Sequence, residues 1–167
     1  GGTPTHLGPD GVKRLFSEFH DVLQPSPTAE VTIEANPLDV SESMIEAFHE
    51  CGINRVSLGV QSLNSVTLKK LDRDHRESDV RQVMNLLRKS GLTVSVDLII
   101  AVPGQTLDLV ERDVEEIVSL RAHHISVYCL TWEVGTAFWG KRARGTLTPV
   151  VEDQEREMFE LVIDQLS

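Results

Sequence analysis

The chain is poor in cysteine, in aromatic residues and in positive charge, and it has no long apolar run. Two cysteines, Cys51 and Cys129, stand among 167 residues. They are too few and too far apart for a disulfide framework or a C-x-x-C metal site, so both are expected to be buried thiols. Asp and Glu number 26 against 16 Lys and Arg, a net charge of −10. That balance disfavours non-specific binding to nucleic acid or to an anionic membrane. No apolar run approaches the roughly 18 residues a bilayer span needs, and the first residues show neither the basic nor the apolar region of a signal peptide. The sequence reads as cytoplasmic. There is also no P-loop, H-E-x-x-H, EF-hand or Ser-His-Asp order, and no G-x-G-x-x-G after a first strand. The common kinase, zinc-protease, hydrolase and dinucleotide-binding mechanisms lose weight accordingly.

What is present is a chain with 40% hydrophobic residues, enough for one globular domain with a real core. Four short runs rich in β-branched residues read as buried strands: 31–35, 55–60, 93–100 and 124–130. Helical spacing appears between them. Leu15, Phe16, Phe19, Val22 and Leu23 repeat after Asp10; Met44, Ile45 and Phe48 follow Ser41, a good N-cap. Further helical runs cover 66–71, 80–87 (ending near Gly91), 109–120 and 155–166, and the stretch between the last strand and the last helix reads as loop. Strict alternation of strand and helix calls for parallel strands joined by right-handed crossovers. Polar residues near the end of every strand, Glu34, Gln61, Asp97 and then Thr131 with Glu133, favour a barrel or partial barrel, whose strand ends converge on one face.

Several positions invite a chemical reading. Gly1-Gly2-Thr3-Pro4-Thr5 reads either as an ordinary loop or tag scar, or as a ligand-binding turn after a strand that precedes it, with glycines at positive φ and Pro4 leading into a helix. Glu34 ends an apolar strand before Asn36-Pro37. A buried carboxylate there needs either a cationic or hydroxyl group of a ligand, or a structural Arg. Gln61 carries two amide donors and an acceptor, suited to ribose hydroxyls or an adenine edge, or else caps the next helix. Arg73, between Asp72 and Asp74, offers a fork for an amino-acid carboxylate or pairs with its neighbours. His75 reads as a solvated turn histidine, and His123-His124 point opposite ways on a strand. Asp97 interrupts an apolar strand, a costly placement without a partner. Trp132, Phe138 and Trp139 either face a flat aromatic substrate or pack a loop, and Lys141-Arg142-Ala143-Arg144 is either an anion site or a solvated basic stretch.

Taken in order, Gly1 to Thr5, Glu34-Ala35-Asn36-Pro37, Gly52 to Ser62, Leu71 to His75, Asp97 to Thr106 and Leu130 to Thr136 resemble the radical S-adenosylmethionine family of oxygen-independent coproporphyrinogen III oxidases, closest to its heme chaperone branch. The resemblance covers nearly the whole chain. It implies an α/β fold, a parallel partial (β/α)6 TIM-like barrel, with S-adenosylmethionine and a [4Fe-4S] cluster at its top face. It implies that Gly1, Gly2 and Thr3 meet the methionine end of that cofactor through backbone groups. Glu34, Gln61, Arg73, Asp97 and Thr131 would also contact S-adenosylmethionine, with Arg73 on its carboxylate and Gln61 or Asp97 on hydroxyls. The implied chemistry is reductive cleavage to methionine and a 5′-deoxyadenosyl radical, with an electron donor such as a flavodoxin or ferredoxin. A tetrapyrrole is the implied substrate or cargo, and heme the ligand of the chaperone branch.

Two departures stand out. The family holds its cluster with C-x-x-x-C-x-x-C, three thiolates on three irons, and this chain has no such triplet. Residues 1–167 are therefore expected to be a radical S-adenosylmethionine core fragment, truncated at both ends, with cluster ligands upstream, a further domain downstream, and neither metal ligands nor catalytic residues of its own. The other departure is Ile100-Ala101-Val102, where the family typically has Tyr-Gly-Leu. Three readings are carried forward: a heme chaperone, a genuine coproporphyrinogen III oxidase that converts propionates to vinyls, and a cluster-free barrel that binds an anionic metabolite.

Overall fold

The computed structural model describes residues 2–167. Four strands, β1 (Thr32–Ala35), β2 (Arg55–Gln61), β3 (Thr93–Ile100) and β4 (His124–Cys129), form one sheet in the order β1-β2-β3-β4. All run parallel. Glu34 pairs with Ser57 and Ala35 with Leu58. Thr93 N–H bonds to Asn54 C=O, and at the other edge His123 N–H bonds to Val94 C=O and Leu130 N–H to Ile100 C=O, so each neighbour advances in the same direction. Among the described residues the sheet is open rather than closed, with β1 and β4 at its edges.

Helices fill the crossovers, as the periodicity demands: α1 (Gly8–Val22), α2 (Glu42–Glu50), α3 (Ser65–Lys70), α4 (Glu77–Ser90), α5 (Leu107–Ser119), α6 (Ala137–Ala143) and α7 (Glu152–Leu166). The expected cap of α2 forms, with Ser41 Oγ accepting from Met44 N–H at 3.2 Å. Gly91 sits at φ 77 just past α4, the left-handed residue a helix C-terminus favours. Helix α6 was expected to be loop. Seven residues interrupted by Gly140 are too short to display a helical period, and the helix rests on a local device instead: Thr136 Oγ1 accepts from Trp139 N–H at 3.2 Å.

The chain forms two compact units. The first contains Gly1–Val60, Glu77–Asp97 and Ala122–Ser126; the second contains Gln61–Arg76, Leu98–Arg121 and Val127–Ser167. In the first, α1 packs on α2, and α4 packs on α2 and on a short 3-10 turn at Pro37–Asp39. Phe48, Met44 and Leu87 are fully buried there. In the second, α5 packs on α7, burying Val110, Ile117 and Met158.

β1 and β2 are buried on one face only, which corrects the expectation of buried strands for them, whereas β3 also buries Ser95 between Val94 and Val96. In β2, Val56, Leu58 and Val60 are buried while Arg55, Ser57, Gly59 and Gln61 are half-exposed. In β1, Ile33 and Ala35 are buried while Thr32 and Glu34 are exposed. A strand turns successive side chains to opposite faces, and here the helices take the apolar one. The edge strand β4 has no fully buried residue, and Cys129 is half-buried rather than buried, whereas Cys51 is buried as expected. The apolar stripe of α1 is likewise open: Phe19, Val22 and Leu23 are 48%, 81% and 59% exposed. Phe19 and Leu23 border an apolar groove of about 460 Å3 along Val31–Glu34, beside the edge strand β1.

Candidate functional site

The polar face of the first unit carries a row of side chains across all four strands. It starts at Glu34 on β1, whose register partner on β2 is Ser57. Ser57 Oγ lies 3.1 Å from each carboxylate oxygen of Asp97 on β3, sharing its hydrogen between them. Ser126 on β4 also donates to Asp97, and its hydroxyl lies 3.5 Å from that of buried Ser95. Burial pushes the Asp97 carboxyl above its ordinary range; the bonds from Ser57 and Ser126 oppose the shift, the charge of Glu34 adds to it and Arg55 opposes it. The partners Asp97 needs inside the protein are thus two hydroxyls. Since a carboxylate accepts about four hydrogen bonds, it keeps capacity for a ligand's O–H donors.

Glu34 differs from the expectation. It is exposed, not buried, so it needs no structural partner. Arg55, the nearby candidate, pairs with Glu30 at 3.4 Å. Glu34 is a solvated carboxylate on the same face as Asp97.

The segment before α1 is tied to the loop after β1. Thr5 is 1% exposed and its hydroxyl donates to Asp39 Oδ2 at 2.8 Å while accepting from Asn36 N–H at 3.3 Å. His6 Nδ1 lies 2.7 Å from the same Asp39 oxygen. Pro37 holds Asn36 extended at φ −86, ψ 139, as a residue before proline must be. Thr3 C=O accepts from His6 N–H, and Pro4 opens a 3-10 turn at Pro4–Leu7. Gly1 lies outside the described residues. Gly2 is exposed, and a Cβ there would meet nothing within 4 Å.

The remaining candidates, Gln61, Arg73 and Thr131, belong to the second unit. Gln61 ends β2 at φ 65, a left-handed conformation unusual for a residue with a side chain. It is not a helix cap: Asn64 Oδ1 takes that role, accepting from Val66 and Thr67 N–H. The turn after Gln61 is pinned by Asp113, 3% exposed on α5, which accepts from Ser62 Oγ at 2.5 Å and Leu63 N–H at 3.0 Å. Asp113 escaped the sequence reading, although its signal was visible. It occupies the buried stripe Val110, Asp113, Val114, Ile117, where an acid has to be satisfied.

Past β3, Ala101 is 3% exposed at φ 60. The turn that follows closes through Gln105 Oε1, which accepts from Val102 N–H at 3.1 Å, and through Lys70 Nζ, which donates to Pro103 C=O at 2.5 Å. Gln105 Nε2 is buried and has no hydrogen-bond partner among the described residues. Arg73 follows α3, where Asp72 at φ 52 and the bond from Arg73 N–H to Leu68 C=O end the helix. Its side chain is half-buried, and Asp72 pairs with Lys141 at 3.9 Å rather than with Arg73. His75 is 3% exposed, which overturns the solvated reading. His123 Nδ1 accepts from Val94 N–H, a structural bond. Thr131 is exposed just beyond β4.

Neither cysteine fits an iron–sulfur cluster. Burial and the neighbouring Glu155 push the Cys129 thiol up to about 11, and burial raises that of Cys51. Both are neutral thiols at physiological pH, 78 positions apart, whereas cluster ligands are adjacent thiolates. Within the first unit, the solvated Glu34 carboxylate and the hydroxyl-bonded Asp97 carboxylate are acceptors suited to a ligand's ammonium or hydroxyl groups.

Comparison with known proteins gives the family. A family model described as the Radical SAM superfamily matches residues 1–117. The heme chaperone HemW of Lactococcus lactis is 38% identical over 100% of this chain and 44% of the relative; that of Bacillus subtilis is 38% identical over 99% and 44%. Among solved structures, coproporphyrinogen III oxidase (HemN) from Escherichia coli, titled a Radical SAM enzyme, matches with a TM-score of 0.86 at 25% identity, over 99% of this chain and 38% of that one. The Elp3 of Methanocaldococcus infernus matches with a TM-score of 0.80 at 26% identity, over 97% and 43%. The chain spans less than half the length of these relatives. With a family model covering well over half of its residues, this chain belongs to the Radical SAM superfamily.

Proposed function

We propose that this chain is the S-adenosylmethionine-binding part of a radical S-adenosylmethionine heme chaperone. The observation that carries the reading is the 38% identity, sustained over the whole chain, with relatives named heme chaperones. Family membership implies S-adenosylmethionine and a [4Fe-4S] cluster. No step is assigned to the cluster, because neither Cys51 nor Cys129 suits it.

When bound, S-adenosylmethionine supplies a sulfonium that one-electron reduction can cleave. The residues of this chain would bind and orient it. Glu34, solvated and anionic, would attract the ammonium of the methionine end, and the Arg73 fork would take its carboxylate. Asp97, held by Ser57 and Ser126, would accept from ribose hydroxyls, while the Gln61 amide can both donate and accept. Gly1, Gly2 and Thr3 would add backbone groups, and Thr131 its hydroxyl. A cytoplasmic location and a flavodoxin or ferredoxin donor belong to the same reading. Among the described residues no helix is long and apolar enough to cross a membrane.

The test is calorimetric titration of S-adenosylmethionine with the full chain, followed by heme titration and transfer to an apo-cytochrome. Binding of both ligands, with Glu34→Gln and Asp97→Asn each weakening S-adenosylmethionine at least tenfold, is expected. A protein that binds neither ligand would overturn the reading. A second reading, coproporphyrinogen III oxidase, is favoured by the fold match to the Escherichia coli enzyme. Vinyl products formed without oxygen by the protein that carries this chain would establish it instead.

A further inference from the structure

One cluster in the second unit is left unused by that assignment. Trp132 lies just past β4, and α6 presents Phe138, Trp139, Lys141 and Arg142 close behind it. The Trp132 and Phe138 rings meet edge to face, with centroids 6.1 Å apart. The Arg142 guanidinium carbon lies over both indoles, 5.4 Å from the centre of Trp132 and 5.6 Å from that of Trp139. Lys141 Nζ lies 5.5 Å over Phe138. The three aromatic rings are half-buried, whereas Arg142 is exposed.

The chemistry of this arrangement is specific. A guanidinium stacked on indoles is held in place by cation–π attraction, yet keeps its in-plane N–H fork for an anion. Among the described residues Arg142 makes no ion pair. Lys141 is already engaged with Asp72, and Arg144 folds back over Gly140, where an added Cβ would come within 3.3 Å of its Nη1. Three cations within four positions stand out on a chain of net charge −10. Flat apolar rings beside a preorganised fork suit a ligand that is itself flat and aromatic and ends in carboxylates.

We propose that Trp132, Phe138, Trp139 and Arg142 form a docking site for a propionate-bearing tetrapyrrole, with Arg142 taking one propionate bidentately and the rings lying against the macrocycle. The proposal rests on the heme-chaperone reading above and adds to it the place where the tetrapyrrole is received. Charge complementarity commits the site to the propionate edge, since the rings alone would accept any flat molecule.

The experiment titrates hemin, and in parallel hemin dimethyl ester, into the full chain while the Soret band is followed, for the wild type, Arg142→Ala and Arg142→Lys. The expected result is a loss of roughly tenfold or more in hemin affinity for Arg142→Ala, a smaller loss for Arg142→Lys, and ester binding that is the same in all three. Because Trp132 and Trp139 are the only tryptophans, indole emission checks directly that the cluster stays packed in each variant. Hemin affinity unchanged in Arg142→Ala, or equal losses for hemin and its ester, overturns the docking site while leaving the chaperone reading standing. A wild-type chain that produces no Soret shift overturns the chaperone reading, and the docking site with it.

Discussion

Ser57 and Asp97, 40 positions apart in the chain, meet across adjacent strands with the serine hydroxyl 3.1 Å from each carboxylate oxygen. This contact makes Asp97 an acid partnered by hydroxyls rather than by a cation, and it opposes only in part the rise in pKa that burial causes.

The folded pKa of Asp97 is raised, so its protonated form is the one folding favours. Stability linked to this group is present below the ordinary carboxylate range and is lost as pH rises through the raised value. Asp97→Asn is therefore expected to be more stable than the wild type at neutral pH, with the difference shrinking as pH falls, while on the proposed function it weakens S-adenosylmethionine binding. Urea titrations at pH 7 and pH 4 check the sign; an Asn variant less stable at pH 7 contradicts it.

Ala101 holds φ 60 with its methyl buried. Glycine relieves about 1–2 kcal/mol of left-handed strain but gives up roughly 0.8 kcal/mol of methyl burial and gains freedom in the unfolded chain. Ala101→Gly is expected within about 1 kcal/mol of the wild type on these terms. Ala101→Val, branched at a left-handed position with no room, should cost about 2 kcal/mol or more by denaturant melting.

Removing the Asp113 carboxylate strands two groups at once, Ser62 O–H and Leu63 N–H. Asp113→Ala is expected to cost about 2–4 kcal/mol, and Asp113→Asn less, since its amide oxygen still accepts one bond. Hydrogen exchange at Leu63 should accelerate in the Ala variant; unchanged protection there would show that the turn holds without it.

Asp39 gathers Thr5 and His6 onto a single carboxylate oxygen. Asp39→Ala should cost about 1–2 kcal/mol and loosen the Gly2–Thr3 segment, seen as faster exchange of the Asn36 and His6 amides.

Cys129, with its thiol pushed up to about 11, should resist alkylation at pH 7 and react progressively faster as the solution approaches that value. Rapid iodoacetamide labelling of Cys129 at neutral pH in the folded chain would contradict this.

Much of the architecture was open to reading in one dimension, because it repeats locally. Strand bounds such as 93–100 match the structure, as does the Ser41 cap of α2, since β-branched runs and capping side chains act within a few residues. The candidates Glu34, Gln61, Arg73, Asp97 and Thr131 were visible as polar residues interrupting or ending such runs. The same local logic failed on α6, which is too short for a period, and on His75, which is buried although it follows a turn between charged residues.

The sequence by itself determined the order of the strands and of every helix but α6, and which residue types stand at the strand ends, because each is written in local spacing; its motifs carried the resemblance to the family. Only the tertiary structure decided that Glu34 is solvated, that Ser57 and Ser126 partner Asp97, that Asp113 pins the turn after Gln61, and that Arg142 lies over two indoles. Those outcomes depend on register between strands and on what packs against each face. Residues tens of positions apart set both, and no local pattern records their meeting.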